Sequence, residues 1–146
     1  MMKIFTICIA FMCMVLPGVS MAGNLTDNGN GTVTDSGTTL MWQQGESSLM
    51  TWDAALTYCE GLTLAGSNDW RLPNIKELFS LVADTRVNPS INTTMFPNAI
   101  SSHYWSSTTW VYIDVCAWGV YFDTGRTDTP LDKVNSSYAR CVRGGQ

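Results

Sequence analysis

Asp69-Trp70-Arg71-Leu72-Pro73-Asn74 is the stretch of this sequence that most constrains the fold. Pro73 disfavours a helical conformation at the residue before it, so the stretch should run extended into whatever element follows. Arg71 stands between two large apolar side chains. We therefore expect its guanidinium to satisfy backbone carbonyls or a carboxylate inside the domain.

A helix is predicted immediately after this stretch, from Asn74 to Ala83. Asn74 and Glu77 have the spacing of a capping box, in which each side chain satisfies the other residue's backbone amide. Apolar residues recur at helical intervals along one face of this segment: Ile75, Leu78, Phe79 and Val82.

An earlier helix is predicted from Thr51 to Glu60, with Thr51 as its N-cap and Gly61 as its stop. Its apolar face contains Trp52, Ala55, Leu56 and Cys59. Cys59 should therefore point into the core.

The rest of the sequence reads as short strands and loops. Asn-Gly pairs at 28–29 and 30–31 mark turns, and β-rich residues on either side of the turn at 35–37 predict a hairpin. Further strands are predicted at 104–108, 116–123 and 138–143, with a long loop at 85–102 and a polar loop at 128–136. This order predicts an α+β fold with two helices, a small mainly antiparallel sheet and long irregular loops.

The N-terminus has the pattern of a signal peptide over residues 1–22. Lys3 precedes an apolar stretch from Ile4 to Leu16, and small residues at Ser20 and Ala22 suit a signal peptidase. Cleavage would leave one domain, residues 23–146, and would move the formal charge from −4 to −5 because Lys3 is lost. The expected location is secreted, periplasmic or on the cell surface, with no membrane insertion after cleavage.

Three cysteines would remain after cleavage: Cys59, Cys116 and Cys141. An oxidising compartment favours one disulfide and one leftover thiol, and the spacing alone does not say which two pair. The apolar neighbours of Cys116 favour a buried, inert thiol, although a reactive or intermolecular role stays open.

The sequence offers little catalytic chemistry. His103 is the only histidine, and no zinc, phosphate-loop or nucleophile-elbow pattern is present, so we expect neither a metal nor a cofactor. The Asp27–Asp35 segment lacks the spacing of a calcium loop and reads as turns. The scattered basic residues argue against nucleic-acid binding.

In combination, these motifs resemble the Lcl C-terminal domain family, a bacterial domain of otherwise unknown function. The resemblance covers residues 27–144 and rests on 27–35, Leu40-Met41-Trp42-Gln43, Tyr58-Cys59, 69–78, Tyr104-Trp105-Ser106-Ser107-Thr108, Ala117-Trp118 and Arg140-Cys141-Val142-Arg143. It implies a C-type-lectin-like fold and a disulfide between Cys59 and Cys141. A disulfide between these two cysteines would stabilise the fold by about 4.5 kcal/mol, because closing so long a loop reduces the conformational entropy of the unfolded chain.

The resemblance also suggests a function, because the family includes an adhesin that binds sulfated polysaccharides. The acidic balance of this chain argues against inheriting that ligand, since like charges repel. The expected function is a secreted, non-catalytic binding or adhesion module whose ligand is a glycan or a surface protein. The alternatives are an enzyme of the sulfatase-activating fold group using Cys116, and a structural, oligomeric surface component.

Fold analogy places ligand binding on the loops between the second helix and the last strand. Trp110 and Tyr112 occupy alternate positions and would share a face if the segment were extended. The predicted ligand-binding residues are His103, Trp110, Tyr112, Asp114, Arg126 and Lys133.

Overall fold

The computed structural model describes residues 24–127 and 130–144, so the predicted signal peptide lies outside the described residues. The fold is α+β, with two helices and two antiparallel sheets. In chain order the elements are β1 (Leu25–Asp27), β2 (Thr32–Asp35), β3 (Leu40–Gln43), α1 (Trp52–Glu60), α2 (Ile75–Phe79), β4 (His103–Thr109), β5 (Cys116–Tyr121), β6 (Leu131–Asp132) and β7 (Val142–Gly144). No helix in the described part of the chain is long and apolar enough to cross a membrane.

The first sheet has the order β1-β2-β3-β7. It contains the predicted hairpin, formed by β2 and β3, with Val33 opposite Trp42 on the buried side. The strand β1 was not predicted, because two of its three residues, Thr26 and Asp27, are polar and exposed and its pairing with β2 defines it. In place of the predicted last strand, 138–143, the structure has the shorter strand β7, which begins later in the chain and ends at Gly144.

Helix α1 has the predicted bounds, with Thr51 at its N-cap position, and is bonded covalently to the chain before β7. Cys59 and Cys141 form a disulfide with their Cα atoms 5.4 Å apart, which confirms the implied pairing. Thr51 is the N-cap residue, but its side chain makes no capping hydrogen bond. Trp52 instead fixes this end of the helix, since its indole donates to the Ser106 carbonyl of β4 at 2.8 Å.

The stretch from Asp69 to Asn74 joins the two sheets. Arg71 exchanges both backbone hydrogen bonds with Val142 of β7, each 2.9 Å long. Two residues later, the Pro73 carbonyl accepts from the Ser107 amide of β4 at 2.8 Å. The Arg71 guanidinium pairs with both oxygens of Glu77, at 2.8 and 2.7 Å, as expected for an internal carboxylate partner.

Helix α2 begins as predicted and ends earlier than predicted. The capping box of Asn74 and Glu77 is present. The helix stops at Phe79, because Val82 pairs with Ile91 and the chain turns away to make that bridge. Phe79, expected on the buried face, is therefore exposed.

The second sheet has the order β4-β5-β6, so the predicted single small sheet is in fact two separate sheets. β6 falls inside the predicted polar loop at 128–136. Gly119 of β5 lies directly against the His103 imidazole and the Tyr104 carbonyl, where any Cβ would overlap both. This close approach explains a glycine in the middle of a buried strand.

Buried Arg140 ties the two sheets together from inside. Its guanidinium is fully buried and donates to the carbonyls of Gln43 and Gln44 at 2.8 Å and to the Glu46 carboxylate. Tyr104 of β4 donates to the other Glu46 oxygen. Burial lowers the pKa of Arg140 to about 9, which still leaves it charged at neutral pH.

Candidate ligand-binding surface

The turn between β4 and β5 carries the most exposed apolar residues near the predicted site. Three backbone hydrogen bonds close this turn: Trp110 N to Cys116 O at 2.9 Å, Ile113 N to Trp110 O at 3.2 Å, and Cys116 N to Ile113 O at 3.0 Å. The segment is thus a compact turn and not the extended strand that the sequence suggested for Trp110 and Tyr112.

Apolar side chains project from this turn into solvent. Val111 is 85% exposed, Tyr112 is 83% exposed, and Ile113 and Val115 are also exposed. Val134, 77% exposed, adjoins them because the Lys133 amide donates to the Val115 carbonyl at 2.9 Å. We call this set, Val111, Tyr112, Ile113, Val115 and Val134, the apolar tip.

Aromatic rings lie beneath the apolar tip. The Trp110 ring is half-buried, with its centroid 5.9 Å from that of Tyr112 and 6.4 Å from that of Trp118. The planes of Trp110 and Tyr112 meet at 79°, so the two rings form an edge-to-face pair. They do not present one flat platform on which successive sugar rings could stack.

Lys133 holds the turn against helix α1. Its ammonium donates to Thr109 Oγ1 at 3.0 Å and to the Asp114 carbonyl at 2.7 Å, one acceptor on each side of the turn. The same ammonium lies 4.0 Å from the centre of the Trp52 ring, in cation–π contact. Its donors are therefore committed to the protein itself, which makes Lys133 a support for the tip and not a free charge for a ligand.

The structure brings together four of the six predicted residues and separates the other two. Trp110, Tyr112, Asp114 and Lys133 meet at the turn. Arg126 lies by Asp123 and over the Tyr121 ring, at the opposite end of β5. His103 also lies at that end, because it pairs with Tyr121 across the sheet.

His103 is buried, so the structure places its side chain away from solvent and apart from the exposed turn. Its Nδ1 lies 2.8 Å from Ser137 Oγ, and its Nε2 has no hydrogen-bond partner. Its ring packs edge-on against Trp105 and Tyr121, at centroid distances of 5.1 and 4.5 Å. Burial lowers the pKa of His103 to about 4.

The lowered pKa of His103 predicts a loss of stability in mild acid. Between pH 6.5 and 4 the unfolded chain binds a proton on His103 that the folded protein excludes, so acidification favours unfolding. Because the folded protein excludes this proton, the free energy of unfolding should be lower by on the order of 3 kcal/mol at pH 4 than at neutral pH. Urea unfolding measured at pH 7, 6, 5 and 4 tests this, with His103→Asn as the comparison. If the stability of the two proteins changed equally with pH, the lowered pKa of His103 would be contradicted.

The thiol of Cys116 is half-buried, not buried as the sequence suggested. Cys116 begins β5, whereas His103 stands at the other end of the β4–β5 pair. Five residue steps along β5 separate Cys116 from Tyr121, the residue opposite His103, a distance of roughly 17 Å. The geometry therefore gives Cys116 no histidine base of the kind that a cysteine nucleophile uses.

The sequence reading missed the aliphatic part of this surface. Val111, Ile113, Val115 and Val134 carry most of the exposed apolar character, yet the prediction named only aromatic and charged residues. The available signal was the run from Trp110 to Val115, which has a single charged residue at a turn. Exposed apolar residues at a turn are a recognised mark of an interaction surface.

Two surface depressions lie apart from the predicted ligand-binding residues. Two depressions of about 260 and 270 Å³ meet at Ser80, and neither is lined by a predicted ligand-binding residue. Both are smaller than typical small-molecule pockets. Within residues 24–127 and 130–144, no group of three or more His, Cys, Asp or Glu side chains is placed to hold a metal ion.

Comparison with models of known protein families identifies a match. The family model described as the Lcl C-terminal domain matches residues 31–143, which is more than half of the chain. No curated protein matches this sequence.

Proposed function

Because this chain belongs to the Lcl C-terminal domain family, whose activity is not established, we propose that it is an exported, non-catalytic binding or adhesion module of a bacterial envelope. The observation that carries the proposal is the apolar tip. Its five side chains stay in solvent although they are the kind that folding usually buries. A binding partner would remove them from water.

The support beneath the tip favours a binding role. The three turn hydrogen bonds and the Lys133 contacts hold the backbone in one conformation before any ligand arrives. A preorganised surface loses less entropy when it binds, and so binds more tightly for the same contact area. The Cys59–Cys141 disulfide fixes helix α1, against which Lys133 rests.

A C-type-lectin-like fold is part of this proposal. Two helices, two antiparallel sheets and a disulfide joining the first helix to the chain before the last strand are compatible with it. Superposing an experimental structure on known domains of that fold would test it. A lectin-like fold would not by itself imply sugar binding, because unrelated functions share folds.

Export is the second part of the proposal, supported by the leader pattern and by the disulfide. An intact-mass measurement on protein recovered outside the cytoplasm should give a chain that starts at Gly23 and lacks two hydrogens. A mass that retains residues 1–22 would count against cleavage and export.

The binding proposal is tested with variants of exposed residues that leave the core untouched. Val111→Ser/Tyr112→Ser should reduce binding of the labelled protein to isolated bacterial envelopes at least about tenfold, since exposed apolar anchors dominate such contacts. Val87→Ser is the matched control, because Val87 is 66% exposed and its loop packs near Asp123 at the far end of β5.

Val87→Ser and Val111→Ser/Tyr112→Ser should both reach half-unfolding at the same urea concentration as the wild type, since all three residues are exposed. Equal binding by the tip variant and the wild type would refute the proposed surface. Loss of binding by Val87→Ser to the same degree would do so as well.

The enzyme alternative finds no support in this geometry, because Cys116 has no nearby histidine. A structural, oligomeric component remains an alternative reading of the same apolar tip. Light scattering separates it from the proposal, which expects a monomer that binds a different molecule.

A further inference from the structure

The charges beside the apolar tip are mostly negative. Asp114 lies within the turn and is exposed, and Asp53 is exposed next to Trp52, whose amide donates to the Lys133 carbonyl. Asp132 precedes Lys133 and is half-buried, with one oxygen accepting from the Val134 amide at 3.1 Å. Among the ion pairs of the described residues, none includes any of these three carboxylates.

The positive charge of Lys133, the basic residue at the tip, is committed to contacts within the protein. The Lys133 ammonium is held by the Asp114 carbonyl, the Thr109 hydroxyl and the Trp52 ring. Four arginines are balanced by carboxylates in ion pairs: Arg71 by Glu77, Arg126 by Asp123, Arg140 by Glu46 and Arg143 by Asp69. An anionic ligand at the tip would therefore meet carboxylates and one ammonium whose donors are already used.

The shape of the tip favours a protein over a carbohydrate. Four of its five side chains are aliphatic, and the Tyr112 ring stands edge-to-face with Trp110. Sugar recognition needs convergent polar groups beside a stacking face, whereas protein interfaces combine an apolar centre with a polar or charged rim.

We propose that the apolar tip binds a cationic, apolar protein surface, in which aliphatic side chains are flanked by lysine or arginine. This inference rests on the proposed binding function and adds the chemistry of the partner. Aliphatic contact supplies the affinity, and the carboxylates of Asp53, Asp114 and Asp132 select for positive charge and against sulfated or phosphorylated ligands.

Direct titration of the purified protein with probes of known chemistry tests the proposal. The probes are an amphipathic peptide of leucine and lysine, a peptide of the same length and pattern with glutamate for lysine, heparin as a sulfated polysaccharide, and vesicles of phosphatidylcholine. We expect the lysine peptide to bind at least about tenfold more tightly than the glutamate peptide, and neither heparin nor vesicles to bind. Affinity for the lysine peptide should fall as salt rises.

Matched variants separate the tip from the general acidity of the chain. Val111→Ser/Tyr112→Ser should weaken lysine-peptide binding at least about tenfold, and Asp114→Asn should weaken it about threefold. Val87→Ser and Asp84→Asn, both exposed in the loop near the far end of β5, should leave it unchanged. Equal losses at the tip and at these controls would overturn the proposal.

The remaining outcomes are also decisive. Tighter binding of heparin, of the glutamate peptide or of vesicles would overturn the inference, and so would a failure of the lysine peptide to bind. Suppose that one of these outcomes is found and that Val111→Ser/Tyr112→Ser still loses envelope binding. The proposed function then stands, and only the proposed chemistry of the partner is wrong. If the tip variant keeps envelope binding, the proposed function itself fails.

Discussion

Replacing Cys59 and Cys141 together by alanine is expected to lower the free energy of unfolding by about 4.5 kcal/mol, because the disulfide closes a sequence separation of 82 residues. Opening so long a loop restores much of the conformational freedom of the unfolded chain. Both cysteines are fully buried, so the smaller alanine side chains add to the loss. Urea unfolding of the wild type and the double variant measures the difference.

Cys116→Ala is the control for this experiment, since Cys116 is a free, half-buried cysteine. It should change stability by less than about 1 kcal/mol. Adding a reductant should bring the wild type close to the double variant and leave the double variant unchanged. A double variant within about 1 kcal/mol of wild type would show that the disulfide contributes little to this fold.

Glu46→Ala should destabilise the protein by about 3–5 kcal/mol, because it leaves the fully buried guanidinium of Arg140 without a counter-charge. The Tyr104 hydroxyl loses its acceptor in the same substitution. The charge is not relieved by deprotonation at neutral pH, since an arginine guanidinium stays protonated in proteins. Thermal and urea unfolding at pH 7 would register the change.

Glu60→Ala supplies the comparison, since Glu60 is an exposed carboxylate at the end of α1. Its loss should alter stability by no more than about 0.5 kcal/mol. Similar effects for the two substitutions would contradict a central role for the Glu46–Arg140 pair.

The local signals in the sequence predicted elements well where local chemistry decides them. The capping box at Asn74 and Glu77 marked the start of α2 correctly. Its end depended on a remote partner, because Val82 leaves the helical pattern to pair with Ile91. No local pattern contains that information.

The same limit applies to the candidate surface. Of the six residues that the sequence predicted for ligand binding, Trp110, Tyr112, Asp114 and Lys133 lie close together in the structure. The extended segment on which Trp110 and Tyr112 were expected to share a face is a turn. It could not reveal that the Lys133 ammonium is already engaged, since both acceptors are about 20 residues away along the chain. The exposure of an aliphatic residue such as Val134 depends equally on tertiary structure.

The role of Arg140 was also beyond local patterns. The sequence showed it only as part of the Arg140-Cys141-Val142-Arg143 motif. Its partners, Gln43, Gln44 and Glu46, lie nearly 100 residues earlier in the chain. A buried arginine with this many acceptors is specified by the packing of the two sheets.

Amide hydrogen exchange of the protein bound to bacterial envelopes tests the central claim, that the apolar tip is the binding surface, most directly. Mass spectrometry compares the amide exchange of bound and free protein segment by segment. The backbone hydrogen bonds of the turn are known from the structure. The account predicts added protection confined to peptides that cover residues 110–116 and 133–135. Protection instead at residues 74–92, with exchange at the turn unchanged, would contradict it.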